Sequence, residues 1–272
     1  EALLDDWVAR AQEQAASRGI VGIVDMQHGP ERIRTWRRRA ARTDQLLRVV
    51  IACWADSIDE AIGAGMRTGH PIDEAGWLRG GPLKIITDGS FTAQTAWCTH
   101  PYGDPDSGLD PHGSPSISRE KLATLMSRGE LNGLQLAVHA IGDRAIAMTL
   151  DCFAETGASG SIEHAMVPSA ADIARMAELG LHASVQPVHM LADRELIEDS
   201  WPTGAGRSFP LRSMLEAGVP LAFGTDAPVT PIDPWLAIRT AVLRAAPGQE
   251  PWNASESLSI AQALRSSTGR IA

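Results

Sequence analysis

The sequence predicts an α/β chain built as an incomplete (β/α)8 barrel of the TIM type, and three observations predict it. Strand-length apolar runs alternate with longer amphipathic stretches along the whole of the 272 residues. Those runs are apolar on both faces, as parallel strands covered by helices must be. Seven strand–helix units can be counted, one short of eight, and no Gly-x-Gly-x-x-Gly turn follows any strand. The missing turn weakens the alternative of an open, nucleotide-binding sheet.

Taken in order, an amphipathic stretch over 2–18 leads into a first strand over 19–26 (Ile20, Val21, Ile23 and Val24). A second strand covers 48–54, and Ser57 stands where the N-cap of a helix over 57–64 belongs. The remaining strands are expected at 83–88, 134–140, 161–164, 181–186 and 221–226. Helices are expected over 119–127, 144–155, 169–178, 209–217, 234–244 and 259–266. Ser169 with Asp172 three residues later forms a weak capping box. Two stretches break the rhythm: 91–118, rich in Gly, Pro, Asp and Ser, and 190–208. Loops of that length usually wall a site. No internal repeat or linker divides the chain, so one partial barrel domain over 1–272 is expected.

Twenty-four Lys+Arg stand against 33 Asp+Glu, a net charge of −9, which argues against nucleic acid or an anionic membrane as partner. The one basic cluster, Arg37-Arg38-Arg39 with Arg42, has helical spacing and reads as a solvated helix face. No apolar run approaches the roughly 18 residues that span a bilayer. Cys53, Cys98 and Cys152 are few and far apart, which implies a reducing compartment, the cytoplasm, rather than a disulfide framework.

The chemistry-bearing residues sit at strand ends. Lys84 lies in Leu83-Lys-Ile-Ile-Thr-Asp88, His139 closes Leu134–His139, His164 closes Ser161-Ile-Glu-His164, and Asp226 closes Leu221–Asp226. Parity sorts their directions. Leu221, Phe223 and Thr225 share one face of the last strand, and Ala222, Gly224 and Asp226 share the other. Gln135, Ala137 and His139 face inward together, and so do Lys84, Ile86 and Asp88. A lysine, two histidines and a carboxylate thus converge at the end of the barrel where such folds place catalysis. Each has a plainer reading as a rim hydrogen-bonder, a snorkelling lysine or an Asx turn. A divalent ion such as Zn²⁺ gives the set one purpose, since neutral imidazole and carboxylate suit it. An ammonium opposes such a site, so Lys84 is either carbamylated, an anion able to bridge two metals, or a neighbour with no part in it.

The motifs Leu83-Lys-Ile-Ile-Thr-Asp-Gly-Ser with Thr95-Ala-Trp97, His139-Ala-Ile-Gly-Asp-Arg-Ala145, Ile162-Glu-His-Ala165, Ser184-Val-Gln-Pro-Val-His189 and Gly224-Thr-Asp-Ala-Pro-Val229 resemble the amidohydrolase superfamily. The nearest branch is amidohydrolase family 3, which includes N-substituted formamide deformylases. The resemblance runs in order from about residue 15 to the end. It implies a (β/α)8 barrel beside a small β-sandwich, with one or two zinc ions and Lys84 as the bridging carbamylated lysine. It further implies His139 and His164 as ligands, and Asp226 as ligand and proton shuttle. Gln186 and His189 would lie near a small-molecule substrate, with a rim hydrogen bond as the alternative. Trp97 and Trp201 would shape an apolar pocket, although ordinary packing is the simpler reading for Trp201. Asp143 and Arg144 would start and brace the following helix. The reaction implied is hydrolysis of a non-peptide carbon–nitrogen bond by metal-activated water.

The sequence departs from that pattern in one respect. His-x-His, which ends the first barrel strand in the family, occurs nowhere, and His28 stands alone after what would be the second strand. The chain opens at Glu1 without Met and lacks the sandwich segments. The expectation is a fragment holding barrel strands two to eight, with two exposed sheet edges that invite pairing with another copy. A non-catalytic barrel remnant acting as a binding or regulatory module is the reading from a different class. An open-sheet hydrolase with a nucleophilic serine lacks its Gly-x-Ser-x-Gly elbow.

Overall fold

A computed structural model describes residues 2–26, 30–42, 44–102, 108, 110–201 and 206–268. His28 lies outside the described residues. Among them are the strands β1 (Gly22–Asp25), β2 (Arg48–Trp54), β3 (Leu78–Ile86), β4 (Leu136–Ala140), β5 (Gly160–His164), β6 (His182–Val185) and β7 (Leu221–Phe223). Their order in the sheet is their order in the chain. The β1–β2, β2–β3, β5–β6 and β6–β7 pairs are parallel. An order that never reverses has no switch point, which separates this sheet from a doubly wound one. With helices in the crossovers it is the strand order of a (β/α) barrel, so the fold is the incomplete (β/α)8 barrel expected. The helices are α1 (Ala2–Ser17), α2 (Pro30–Ala40), α3 (Ile58–Gly63), α4 (Arg119–Leu131), α5 (Asp143–Thr156), α6 (Ala170–Glu178), α7 (His189–Ser200), α8 (Leu211–Glu216), α9 (Pro234–Leu243) and α10 (Ile260–Thr268).

Two compact units divide the chain, one comprising Glu1–Ile85 with Ser127–Ala137, the other Ile86–Met126 with Val138–Ile271. In the first, Leu47, Val49, Ile51, Leu78 and Leu83 form a core that is almost wholly buried. Its third strand begins at Leu78, five residues before the predicted start, because Gly80-Gly81-Pro82 is strand and not turn. A Cβ on Gly80 would stand 2.3 Å from the Arg67 carbonyl oxygen, and one on Gly81 would stand 2.7 Å from the Ile51 carbonyl. The glycines are there because backbone passes backbone at that point. The basic cluster on α2 is only partly the solvated face expected. Arg39 is 2% exposed and its guanidinium reaches Asp44, while Arg37 stays exposed. Ser57 precedes α3 but its side chain makes no capping bond.

In the second unit Val138, Ile146, Leu150, Ile162 and Met214 are fully buried. The Ser169–Asp172 capping box is formed in both directions at the start of α6. The 190–208 excursion is not loop throughout, since α7 occupies its first part. Met190, Asp193, Ile197 and Trp201 are buried at helical spacing, and the aspartate in that row hides the apolar period. A second apolar cluster in this unit gathers Phe91, Tyr102, Met166, Met190, Trp201 and Phe209 from the two aperiodic stretches and their neighbours. Among the described residues no helix is long and apolar enough to cross a membrane.

Candidate metal centre

Every element of the site in the second unit is a strand end or the turn that follows it. His164 ends β5, His189 opens α7 just after β6, and Asp226 sits in the turn after β7. Ligand atoms of these three residues all lie within 4.8 Å of one another. His139, next to last in β4, packs its ring edge-on against His164 with centroids 4.5 Å apart, and His189 stacks on His164 at 6.0 Å. The backbone at these ends is itself unusual. His164, Ala165 and Asp226 have φ of 73°, 43° and 52°, a left-handed conformation that costs a residue with a Cβ roughly 1–3 kcal/mol. That conformation turns the strand end sharply and aims side chains that ordinary strand parity would space further apart.

Hydrogen bonds fix the histidine tautomers. Gln186 Oε1 lies 2.7 Å from His164 Nδ1, and the Gln186 Nε2 donates to the Ser184 carbonyl, so the amide oxygen faces the ring. An amide oxygen only accepts; His164 therefore carries its proton on Nδ1 and presents the Nε2 lone pair. His139 Nε2 is 3.1 Å from the Gly89 carbonyl and carries its proton there for the same reason. His189 is 6% exposed and its buried Nε2 has no hydrogen-bond partner. Burial holds the His189 imidazole below its usual pKa, opposed by the charge of Asp226. A neutral buried imidazole with an orphaned nitrogen, beside a second imidazole and an exposed carboxylate, fits a divalent cation and few other partners.

Asp88 supports this arrangement from below and was not singled out as a site residue by sequence. It is fully buried and accepts the backbone N–H groups of Trp97, Ile141 and Gly142, with His139 Nε2 3.5 Å from the Oδ1 that Ile141 also meets. Burial raises its pKa to about 7 against the pull of those three donors. The signal was present in its parity with Lys84 and Ile86. Gly142 is needed where it stands, because a Cβ there would lie 2.1 Å from the Trp97 carbonyl oxygen.

The other expected site residues are placed as follows. Lys84 is buried on β3, in register with Trp54, and belongs to the first unit. Gln186 is 5% exposed and spent on His164. Trp97 is half-buried, its backbone tied to Asp88 and its ring under the Arg144 guanidinium at 6.0 Å. Asp143 opens α5, the helix start expected of it, and its carboxylate accepts the N–H of Thr99 from the long 91–118 stretch. Trp201 is 4% exposed and stacks on Phe91, which is packing.

Comparison with known proteins places this geometry. The profile of the amidohydrolase family matches residues 1–272. The protein LONG AFTER FAR-RED 3 of Arabidopsis thaliana is 29% identical over 95% of this chain and 47% of its own length. The N-substituted formamide deformylase of Arthrobacter pascens is 28% identical over 69% of this chain and 35% of its own length. A metal-dependent hydrolase of uncharacterised function from Pyrococcus horikoshii OT3 superposes with a TM-score of 0.86 at 28% identity, covering 96% of this chain and 53% of that one. The chain thus spans about half the length of these relatives or less. Matched along its whole length, it belongs to the amidohydrolase family.

Proposed function

We propose that the protein to which this chain belongs is a metal-dependent amidohydrolase that cleaves the carbon–nitrogen bond of a small amide or N-substituted formamide. The observation that carries the reading is the convergence of His164, His189 and Asp226 at strand ends, with a buried imidazole nitrogen left unsatisfied. A divalent ion held there, zinc by its preference for imidazole and carboxylate, supplies Lewis acidity to polarise a carbonyl and ease deprotonation of water. The exposed Asp226 is the group able to take the proton from the attacking water and return it to the departing nitrogen. His139, proton-bearing at Nε2 and fixed by Gly89, keeps the adjacent His164 ring in place. Trp97 and its stacked Arg144 form a half-buried apolar-cationic wall for the substrate. Carbamylated Lys84 as a bridging ligand belongs to this proposal as the family's contribution. Three buried free cysteines support a reducing, cytoplasmic setting. Formate release from N-substituted formamides, assayed with zinc and bicarbonate, tests the reading. Turnover that disappears in Asp226→Asn, assayed with zinc in excess so that the site stays filled, is expected. Amide turnover that survives Asp226→Asn would remove the proton-shuttle role.

A further inference from the structure

We propose that the Asp193 carboxylate is a recognition site for an ammonium group, so that the amide this protein takes carries a cationic nitrogen on its N-substituent. The inference rests on the hydrolase reading above and adds the class of substrate. Asp193 lies on α7, four residues after His189. At 1.5 Å of rise per residue, that spacing puts the two on one helix face, about 6 Å apart along the axis. The carboxylate is thus one helical turn from the residue that α7 gives to the metal centre.

An acid is out of place in that row. Asp193 is 7% exposed, between Met190 and Ile197, which with Trp201 pack against Phe91, Tyr102 and Met166. Among the described residues nothing donates a hydrogen bond to it and no cation pairs with it. Its neighbour Arg194 is held by Glu198 and the Glu250 carbonyl, and Arg207 lies over the Trp201 ring at 5.5 Å. Burial raises the Asp193 pKa to about 6 with no nearby charge to oppose it. A carboxylate kept there without a partner costs the fold free energy, and an incoming cation offsets that cost. Unlike the Trp201 indole nitrogen, its oxygens are not sealed from solvent, so a ligand can reach them. Among the described residues Asp193 belongs to no group of three that could hold a metal ion. One acid among apolar and aromatic side chains suits an alkylammonium, whose stem packs while its head is paired.

The test uses the whole 272-residue chain supplied with zinc, at about pH 8, where Asp193 is ionised and an alkylamine is still protonated. Calorimetry compares N-(ω-aminobutyl)formamide with N-pentylformamide, in which a methyl group replaces the ammonium. The aminobutyl compound should bind about tenfold tighter or more, the scale of a hydrogen bond to a charged group. Asp193→Asn should erase that difference. Asp193→Glu should keep it and move the preference to the shorter N-(ω-aminopropyl)formamide. Damage to the fold would weaken both formamides alike, so the ratio isolates recognition. Equal binding of the two by the unaltered chain, or a preference that survives Asp193→Asn, overturns the Asp193 site while the hydrolase reading stands. If the unaltered chain neither binds the two compounds nor releases formate from them, that reading falls as well.

Discussion

The strand ends of the first unit and those of the second treat their polar groups in opposite ways. β1 ends in Asp25, whose carboxylate accepts the Trp36 indole N–H at 2.7 Å, and β2 ends in Trp54, whose indole donates to the Met26 carbonyl. Local partners close these ends. β5, the turn into α7 and the turn after β7 instead present an imidazole, a second imidazole with an orphaned nitrogen, and an exposed carboxylate. Left-handed backbone at His164 and Asp226 adds strain at the same places. Both sets hang on the same repeating scaffold, so topology alone does not make a site. Where polar groups find partners within the fold they stabilise it, and where they are left wanting at a cost the fold is prepared for a ligand.

Substitutions can break or sharpen that contrast. The largest effect belongs to Asp226→Asn, which should lower kcat by about 100-fold or more, the scale of losing a general acid–base. Its melting temperature should stay within about 1 °C, because an exposed side chain contributes little to stability. Next comes Gly142→Ala, whose new methyl must push against the Trp97 carbonyl and pull both from Asp88. Urea unfolding should report a loss of about 1–3 kcal/mol, the range of overpacked interiors. Trp36→Phe removes the indole donor from Asp25 and should cost about 1 kcal/mol with zinc affinity unchanged. If zinc affinity fell instead, the two sets of strand ends would not be independent.

Acid titration separates a further residue. Asp193, buried on α7, has its pKa raised by burial to about 6 from 3.8. The folded chain therefore holds a proton that the unfolded chain has released between those values. This contribution to stability is complete below pH 4 and is lost as pH rises through about 6, on the order of 3 kcal/mol in all. Asp193→Asn should remove that slope in unfolding measurements made from pH 4 to 7. The smallest effect is expected in the outer helix layer, where Arg175 on α6 meets Asp151 on α5 at 2.7 Å in solvent. Arg175→Ala should change stability by no more than about 1 kcal/mol.

Much of this was legible in the sequence because the periods are clean. Strand β2 was read to the residue from its continuous apolar run, His139 near the end of β4 stood out by parity against Leu136 and Val138, and His164 stood out as the residue that closes β5. The failures have physical causes. Gly80-Gly81-Pro82 looks like a turn to any propensity argument, and only the close approach of Arg67 and Ile51 explains a strand there. Asp193 interrupts the apolar row of α7, so the helix was read as part of a loop. Arg39 is spent inward on Asp44 although its neighbours Arg37 and Arg42 are exposed. The place of His189 beside His164 and Asp226 depends on a helix start following a strand, which spacing along the chain does not encode.

The most direct measurement is calorimetric titration of Zn²⁺ into the metal-free chain at neutral pH. One saturable site per chain, with heat that disappears in His164→Ala, is the predicted result. A flat titration, or binding that ignores His164, would mean that the unsatisfied donors at these strand ends serve no metal.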